Sequence, residues 1–402
     1  MKSVSAHLRA ILDLLQPLPA LAVVLHDAVG CVLAEDVLAP ADLPTRDVAT
    51  QDGYAVRSVD VAGANPDRTV SLRVLDEVRA GARDTERLVA LSSVRIASGA
   101  PIPVGADAVV PLERTDRGRA TVQVRTEVGP GTNVRTQGAD LRADQVALAA
   151  GERVGARQIA LLAALGRSRV SVHPRPRVVL VSVGDELVEP GRRISAGEVY
   201  DANGHALATA VQDAGGSTFR VAAVPDERSS LREVLEDQLV RADLIITTGG
   251  LSAGANDTVK EVLSPLGTVR FDNVAIAPGR QFGVGEVGEG TPIVCLPGNP
   301  VAAQIGYEVF VRPALLSMAG HADLYRPTVT AAVTQGWSSP LERREFVPVH
   351  LTGTPDEGYR AAPTGDPLLL TSMSRANALV VVPQDVGHVA TGDRLAAMVL
   401  ES

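Results

Sequence analysis

Three stretches of this chain run an apolar strand straight into a loop of glycine and small polar residues: RVVLVSVGDEL at 177–187, ADLIITTGGLSAGAND at 242–257 and TPIVCLPGNP at 291–300. Where parallel strands end in such loops, backbone N–H groups and short hydroxyls gather along one sheet edge, a natural seat for a phosphate-bearing ligand. Thr248, Gly249, Gly250 and Ser252 read as a ligand cradle, with glycines that admit close backbone approach. Glu186, Asp226 and Asp257 each lie just past a strand end, and three carboxylates on one edge suit a hard cation of the Mg2+ type. Asp257 is also placed to be the N-cap of the helix that follows. Pro297, Gly298, Asn299 and Pro300 form a rigid strand-to-helix turn, which turn chemistry explains as well as binding does.

Two other motifs compete. Gly283, Gly285 and Gly288 have the GxGxxG spacing of a dinucleotide site, but a strand follows them where a helix N-terminus is needed, so a hairpin is expected. Gly250–Gly254, GLSAG, matches a nucleophile elbow, with Ser252 as nucleophile and His321, His350 or His388 downstream as bases. Against this hydrolase reading, the loop is long for a sharp elbow, and no HGGG-like oxyanion segment is visible.

The elements that must position these residues follow from the pattern of the 402 residues. With 45% hydrophobic and 21% charged residues the chain reads as folded throughout and divides into several domains. Residues 1–45 with 141–175 are helical and extended; in the first helix Leu8, Ile11, Leu12 and Leu15 form an apolar stripe interrupted by His7, Arg9 and Asp13. Residues 46–140 carry alternating strands and turns, an inserted small β domain. Residues 176–326 alternate apolar strands and helices, as in a doubly wound, largely parallel α/β domain, and 327–402 give short strands of a C-terminal β-barrel. The fold class expected is therefore multidomain α/β plus β.

A net charge of −9 and the lack of a basic block argue against general nucleic-acid binding. No apolar run reaches membrane-spanning length. Seven dispersed histidines offer no zinc spacing, and two distant cysteines, Cys31 and Cys295, suit a reducing compartment, the cytoplasm.

Taken in order, the segments PTRDVATQDGYAV (44–56), IASGAPIPVGADAVVPLE (96–113), GTNVRTQGADL (131–141), SVGDELVEPG (182–191), YDANG (200–204), TTGGLSAGANDTVKEVL (247–263), APGRQFGVG (277–285) and LPGNPVAA (296–303) resemble the molybdopterin molybdenumtransferase family, the MoeA type, which includes the gephyrin E domain. The resemblance implies a central domain similar to MogA. It also implies a reaction in which adenylylated molybdopterin is bound, its phosphoanhydride is cleaved with help from Mg2+, AMP leaves, and molybdate joins the dithiolene sulfurs. By the same resemblance Glu186, Asp226 and Asp257 serve cation and phosphate, and Arg280 acts with them. Ser182, Gly184, Asp185, Thr248, Gly249, Gly250, Ser252 and Pro297–Pro300 then bind the substrate. A homodimer with shared active sites is implied, in which Asp52, Ser98 and Asp140 reach the partner's cleft. The molybdopterin adenylyltransferase and recipient apo-molybdoenzymes are the further partners implied.

The chain departs from that pattern at one loop. Family members commonly read KPGKP where this sequence has Ala277, Pro278, Gly279, Arg280 and Gln281, so one lysine is missing and the other is arginine. Val183 and Ser98 stand where threonine is usual, and Gln51 where methionine is. Lysine occurs only at positions 2 and 260, so Arg280 fits a bias of the whole chain, whereas Ala277 does not. The alternative to a working transferase is a divergent paralogue that binds the pterin without inserting metal.

Overall fold

The alternation of buried side chains along the strands of residues 177–296 explains the central sheet. The computed structural model describes residues 1–251 and 257–400. Its contacts divide the chain into two units, one of residues 1–34, 151–155 and 169 onward, the other of 35–150 and 156–168.

The central sheet of the first unit has the strand order Ser217–Arg220, Arg177–Ser182, Leu244–Thr248, Thr291–Leu296, Gln281–Val287, Val269–Asn273. The first four run parallel and the last two are antiparallel additions at one side. Val178, Leu180, Leu244, Ile246, Val294 and Leu296 pack into one core with the helices Val4–Leu14, Ala202–Asp213 and Pro300–Gly306. The alternate residues, Val179, Val181, Ile245, Ile293 and Cys295, pack into a second core with the helices Arg228–Gln238 and Thr258–Leu263. Side chains alternate across a strand, so continuous apolar sequence is what a sheet covered on both faces requires.

Register then places the site. Ser182 pairs with Thr248, and Thr248 with Leu296, so three parallel strands end level and their loops leave from one edge. The GxGxxG glycines lie in the hairpin joining Gln281–Val287 to Thr291–Leu296, with no helix after it, as the sequence pattern suggests.

In the same unit, the strands Thr328–Val333, Arg344–Thr354, Gly358–Pro363, Ala378–Val382 and Arg394–Val399 close into a barrel through the pairing of Arg344–Thr354 with Ala378–Val382. Val333, Val347, Val349, Val380 and Val382 fill it. The N-terminal helix corrects one expectation. His7 does not interrupt the apolar stripe but belongs to it: Val4, His7, Ile11 and Leu15 share the buried face, and the His7 ring packs on Phe282 and Phe310. Spacing of three and four residues decides which side chains point inward, and here it overrides the polarity of the residue.

The second unit holds a five-stranded sheet in the order Ala108–Pro111, Gly53–Val56, Ser92–Ile96, Val70–Val78, Thr121–Val124, with apolar clusters around Tyr54 and Val110 and around Val94 and Val109. The helix Ala156–Ala164 belongs to the same unit. Among the described residues no helix is long and apolar enough to cross a membrane.

Candidate functional site

The level strand ends open on a cavity of about 820 Å3 in the first unit. Val183, Glu186, Asp226, Gly249, Gly250 and Leu251 contribute to its wall from the first loops, and Arg280, Gln281, Pro297, Gly298 and Asn299 from the later ones. Asn273, at the end of its strand and paired in register with Gln281, completes it.

Glycine is required at the sharpest point. Gly249 has φ +88°, and a Cβ there would run into the Val183 carbonyl; Gly250 has φ +62°, and a Cβ there would press on Val259. The backbone is therefore what a ligand meets between Thr248 and Leu251.

The carboxylates are set by a clasp between two loops. Val183 N–H donates to Thr248 O, Gly184 N–H to Val224 O, and Asp226 N–H to Oδ1 of Asp185. This brings Glu186 and Asp226 to the same cavity. Burial, with the neighbouring carboxylates of Asp185 and Glu186, pushes the Asp226 acid above the usual carboxylate range, although hydrogen bonds at Asp185 and Thr258 oppose the shift. Its Oδ1 is buried and has no hydrogen-bond partner among the described residues. A buried carboxylate oxygen with an open lone pair among like charges is a fit for a hard cation. Among the described residues no three His, Cys, Asp or Glu side chains form a ready-made metal cage. Mg2+ does not need one, since it is commonly held by one or two carboxylates with substrate phosphates and water.

Asp257 is placed differently. It occupies the N-cap position of Thr258–Leu263 but makes no side-chain capping bond, contrary to the sequence expectation; its Oδ2 accepts from Lys260 Nζ at 3.0 Å. It is not among the described residues lining the cavity. Ser182 and Thr248 are buried, and neither is among the described residues lining the cavity. Thr248 Oγ1 donates to Ser182 Oγ at 3.4 Å, and Ser182 Oγ donates to Oδ1 of buried Asp201 at 3.0 Å. Asp201 caps the helix Ala202–Asp213 through Gly204 N–H and meets Arg220. Gly184 is buried behind the edge, and Asp185 is exposed. Ser252 lies outside the described residues, and none of the described cavity-lining residues is a histidine.

The PGNP turn serves structure and wall together. Asn299 Oδ1 accepts from Val301 and Ala302 N–H, each at 3.1 Å, and so caps Pro300–Gly306, while Pro297, Gly298 and Asn299 face the cavity and Pro300 does not. Asn203, which the sequence reading left without a role, donates from Nδ2 to Gly298 O at 2.8 Å and ties this turn to the YDANG segment. Its signal was available in the position of that segment at a helix start. Asn273 carried no such signal.

At the departing loop, Arg280 is exposed on the cavity with no ion-pair partner among the described residues. Ala277 is buried, in register with Glu345 on the barrel strand, and does not line the cavity. In the second unit, Asp52 Oδ1 accepts from Ser98 N–H at 2.7 Å and Ser98 Oγ donates to Thr50 O, so these two predicted residues are held together. Asp140 sits in an exposed turn, its N–H bonded to Leu43 O.

Comparison with known proteins agrees with this arrangement. Residues 2–166 match the MoeA N-terminal region (domain I and II), 179–317 the probable molybdopterin binding domain, and 330–400 the MoeA C-terminal region (domain IV). Molybdopterin molybdenumtransferase 2 of Mycobacterium tuberculosis is 39% identical over 98% of both chains, and molybdopterin molybdenumtransferase 1 of the same organism 38% over 92% of both. The chain belongs to the molybdopterin molybdenumtransferase family. A crystal structure of a member from Pyrococcus horikoshii, the molybdopterin biosynthesis MoeA protein, superposes with a TM-score of 0.85 at 30% identity, covering 100% of this chain and 99% of that one. In this molybdenumtransferase-family chain the glycine edge, Glu186, Asp226 and the PGNP turn are assembled around one cavity, while the KPGKP-type loop supplies a single guanidinium.

Proposed function

We propose that this chain is a molybdopterin molybdenumtransferase that binds adenylylated molybdopterin in the cavity beside Gly249 and Gly250, releases AMP and passes molybdate to the dithiolene sulfurs. The observation that carries this reading is that one cavity on a glycine-rich sheet edge is lined by Asp226, with a buried carboxylate oxygen, and by Arg280, with an exposed guanidinium, neither of which has a partner among the described residues. A phosphoanhydride needs both signs: donors for its oxygens and carboxylates to hold the cation that accompanies it.

Glu186 and Asp226 would hold Mg2+, which when bound lowers the charge on the leaving phosphate. Arg280 binds oxyanion oxygens, the bare backbone at Gly249 and Gly250 admits the ligand closely, and Pro297–Asn299 wall the pterin side. Asp257 acts through its pair with Lys260. The working form is proposed to be a homodimer in which Asp52, Ser98 and Asp140 of the partner complete each cleft. The protein would receive substrate from the molybdopterin adenylyltransferase and serve apo-molybdoenzymes in the cytoplasm, where free buried Cys31 and Cys295 are at home.

Purified protein with Mg2+, molybdate and adenylylated molybdopterin is expected to release AMP and yield cofactor that reconstitutes an apo-molybdoenzyme. Pterin binding without AMP release would replace this reading with that of a non-catalytic binder. Labelling of Ser252 by a fluorophosphonate would point to a hydrolase.

A further inference from the structure

The chain's second lysine reaches the loop from which the expected basic residue is missing. Lys260 Nζ, on the helix Thr258–Leu263, donates to Gln281 Oε1 at 2.6 Å as well as to Asp257 Oδ2. Gln281 stands where the KPGKP pattern has its final proline, and it lines the cavity next to Arg280.

An ammonium can only donate, so it decides which way the amide is turned. The oxygen of Gln281 must face Lys260, and the Nε2 N–H pair is the end left for a ligand. Among the described residues no acceptor takes that pair, and none takes the Arg280 guanidinium. Two neighbouring side chains thus offer N–H donors to one cavity, one charged and one neutral.

We propose that Arg280 and Gln281 form a donor fork for a tetrahedral oxyanion, free molybdate or a substrate phosphate, and that Lys260 is the positioning residue that holds Gln281 in the donating orientation. This rests on the reading of the cavity as the molybdenumtransferase site. The fork replaces two point-charge lysines with one guanidinium and one directed amide, so recognition depends on hydrogen-bond geometry as well as charge. The carboxylates Glu186 and Asp226 on the same cavity set the need for it, because an anion entering beside them must be met by donors.

The decisive variant is Gln281→Glu, which keeps the size of the side chain and keeps a partner for Lys260 but turns the donor into an acceptor. Equilibrium dialysis of the full chain against molybdate alone is expected to show binding weakened about tenfold or more in Gln281→Glu and about tenfold in Gln281→Leu, with melting temperatures unchanged. Lys260→Met should weaken binding in the same direction and Lys260→Arg should restore it. Lys260→Met combined with Gln281→Leu should be no weaker than Gln281→Leu alone, since the lysine acts through the amide. Parallel dialysis against inorganic phosphate identifies the occupant: a larger effect there assigns the fork to a substrate phosphate. Molybdate and phosphate binding both indifferent to Gln281→Glu would overturn the fork, and additive losses in the double variant would overturn the positioning role. If wild-type protein binds oxyanion through Gln281 yet releases no AMP, the fork stands and the transferase reading falls.

Discussion

The backbone N–H of Asp226 donates to Oδ1 of Asp185 at 2.9 Å, while the Asp226 side chain keeps its own Oδ1 buried and unpartnered among the described residues. The bond joins two loops that leave adjacent strands, so the position of the second carboxylate is inherited from the sheet and not from a flexible surface turn. A group desolvated in this way, beside Asp185 and Glu186, disfavours its own charge and is stabilised by a cation placed against it.

Asp226→Asn is therefore expected to leave the fold as stable as before, because it removes a charge whose burial is unfavourable, and to lower AMP release by about a hundredfold. Thermal melting with and without Mg2+ separates the two effects. Mg2+ should raise the melting temperature of the wild-type protein by linkage, and raise it less in the variant. Equal Mg2+ shifts in the two proteins would remove Asp226 from the cation site.

Gly249 makes a second test, because strain and obstruction can be told apart. Gly249→Ala places a Cβ on a φ of +88° and against the Val183 carbonyl, whereas Gly267→Ala meets a φ of +73° with open space around it. The Gly267 variant should lose about 1 kcal/mol from strain alone and keep its turnover. The Gly249 variant should lose about 1–3 kcal/mol and most of its AMP release, since the loop must shift to relieve the contact. Chemical denaturation and single-turnover assays measure the two.

Asn203 tests the wall. Its bond to Gly298 O is the tie between the helix Ala202–Asp213 and the PGNP turn. Asn203→Ala should cost about 1 kcal/mol in stability. In steady-state kinetics it should raise KM for the pterin substrate several-fold with a smaller change in kcat, as expected when a wall loosens and the reacting groups stay in place. A fall in kcat alone would put Asn203 in the chemistry.

What could be read from the sequence, and what could not, divides by range. The apolar runs VVLVS, LIITT and PIVCL showed a covered parallel sheet because burial on both faces leaves no polar alternation, and level strand ends follow once such strands pair. Glu186 and Asp226 were legible as carboxylates in the loops that follow strand ends, and both line the cavity. The inward turn of Ser182 was not, because it depends on Asp201, a helix cap nineteen positions away. Nor was the Lys260–Gln281 bond, which joins a helix to a strand 21 positions on. His7 misled by residue type: its spacing from Val4 and Ile11 already placed it on the buried stripe, and only the chemistry of imidazole argued otherwise.

That buried histidine gives the fold a dependence on acid. Burial chiefly, with Lys2 and Arg270 adding repulsion, lowers the His7 pKa to about 4, although Asp272 beside its Nδ1 pulls the other way. The folded state therefore keeps His7 neutral where the unfolded chain, near 6.5, already takes up a proton. Stability is complete above the unfolded value and declines as pH falls from about 6.5 toward 4, by on the order of 3 kcal/mol for this group. The ring lies between Phe282 and Phe310, so His7→Phe can occupy the same space. Urea midpoints measured from pH 7.5 to 4.5 should fall for the wild-type protein and fall distinctly less for His7→Phe; identical slopes would mean that other groups carry the acid sensitivity.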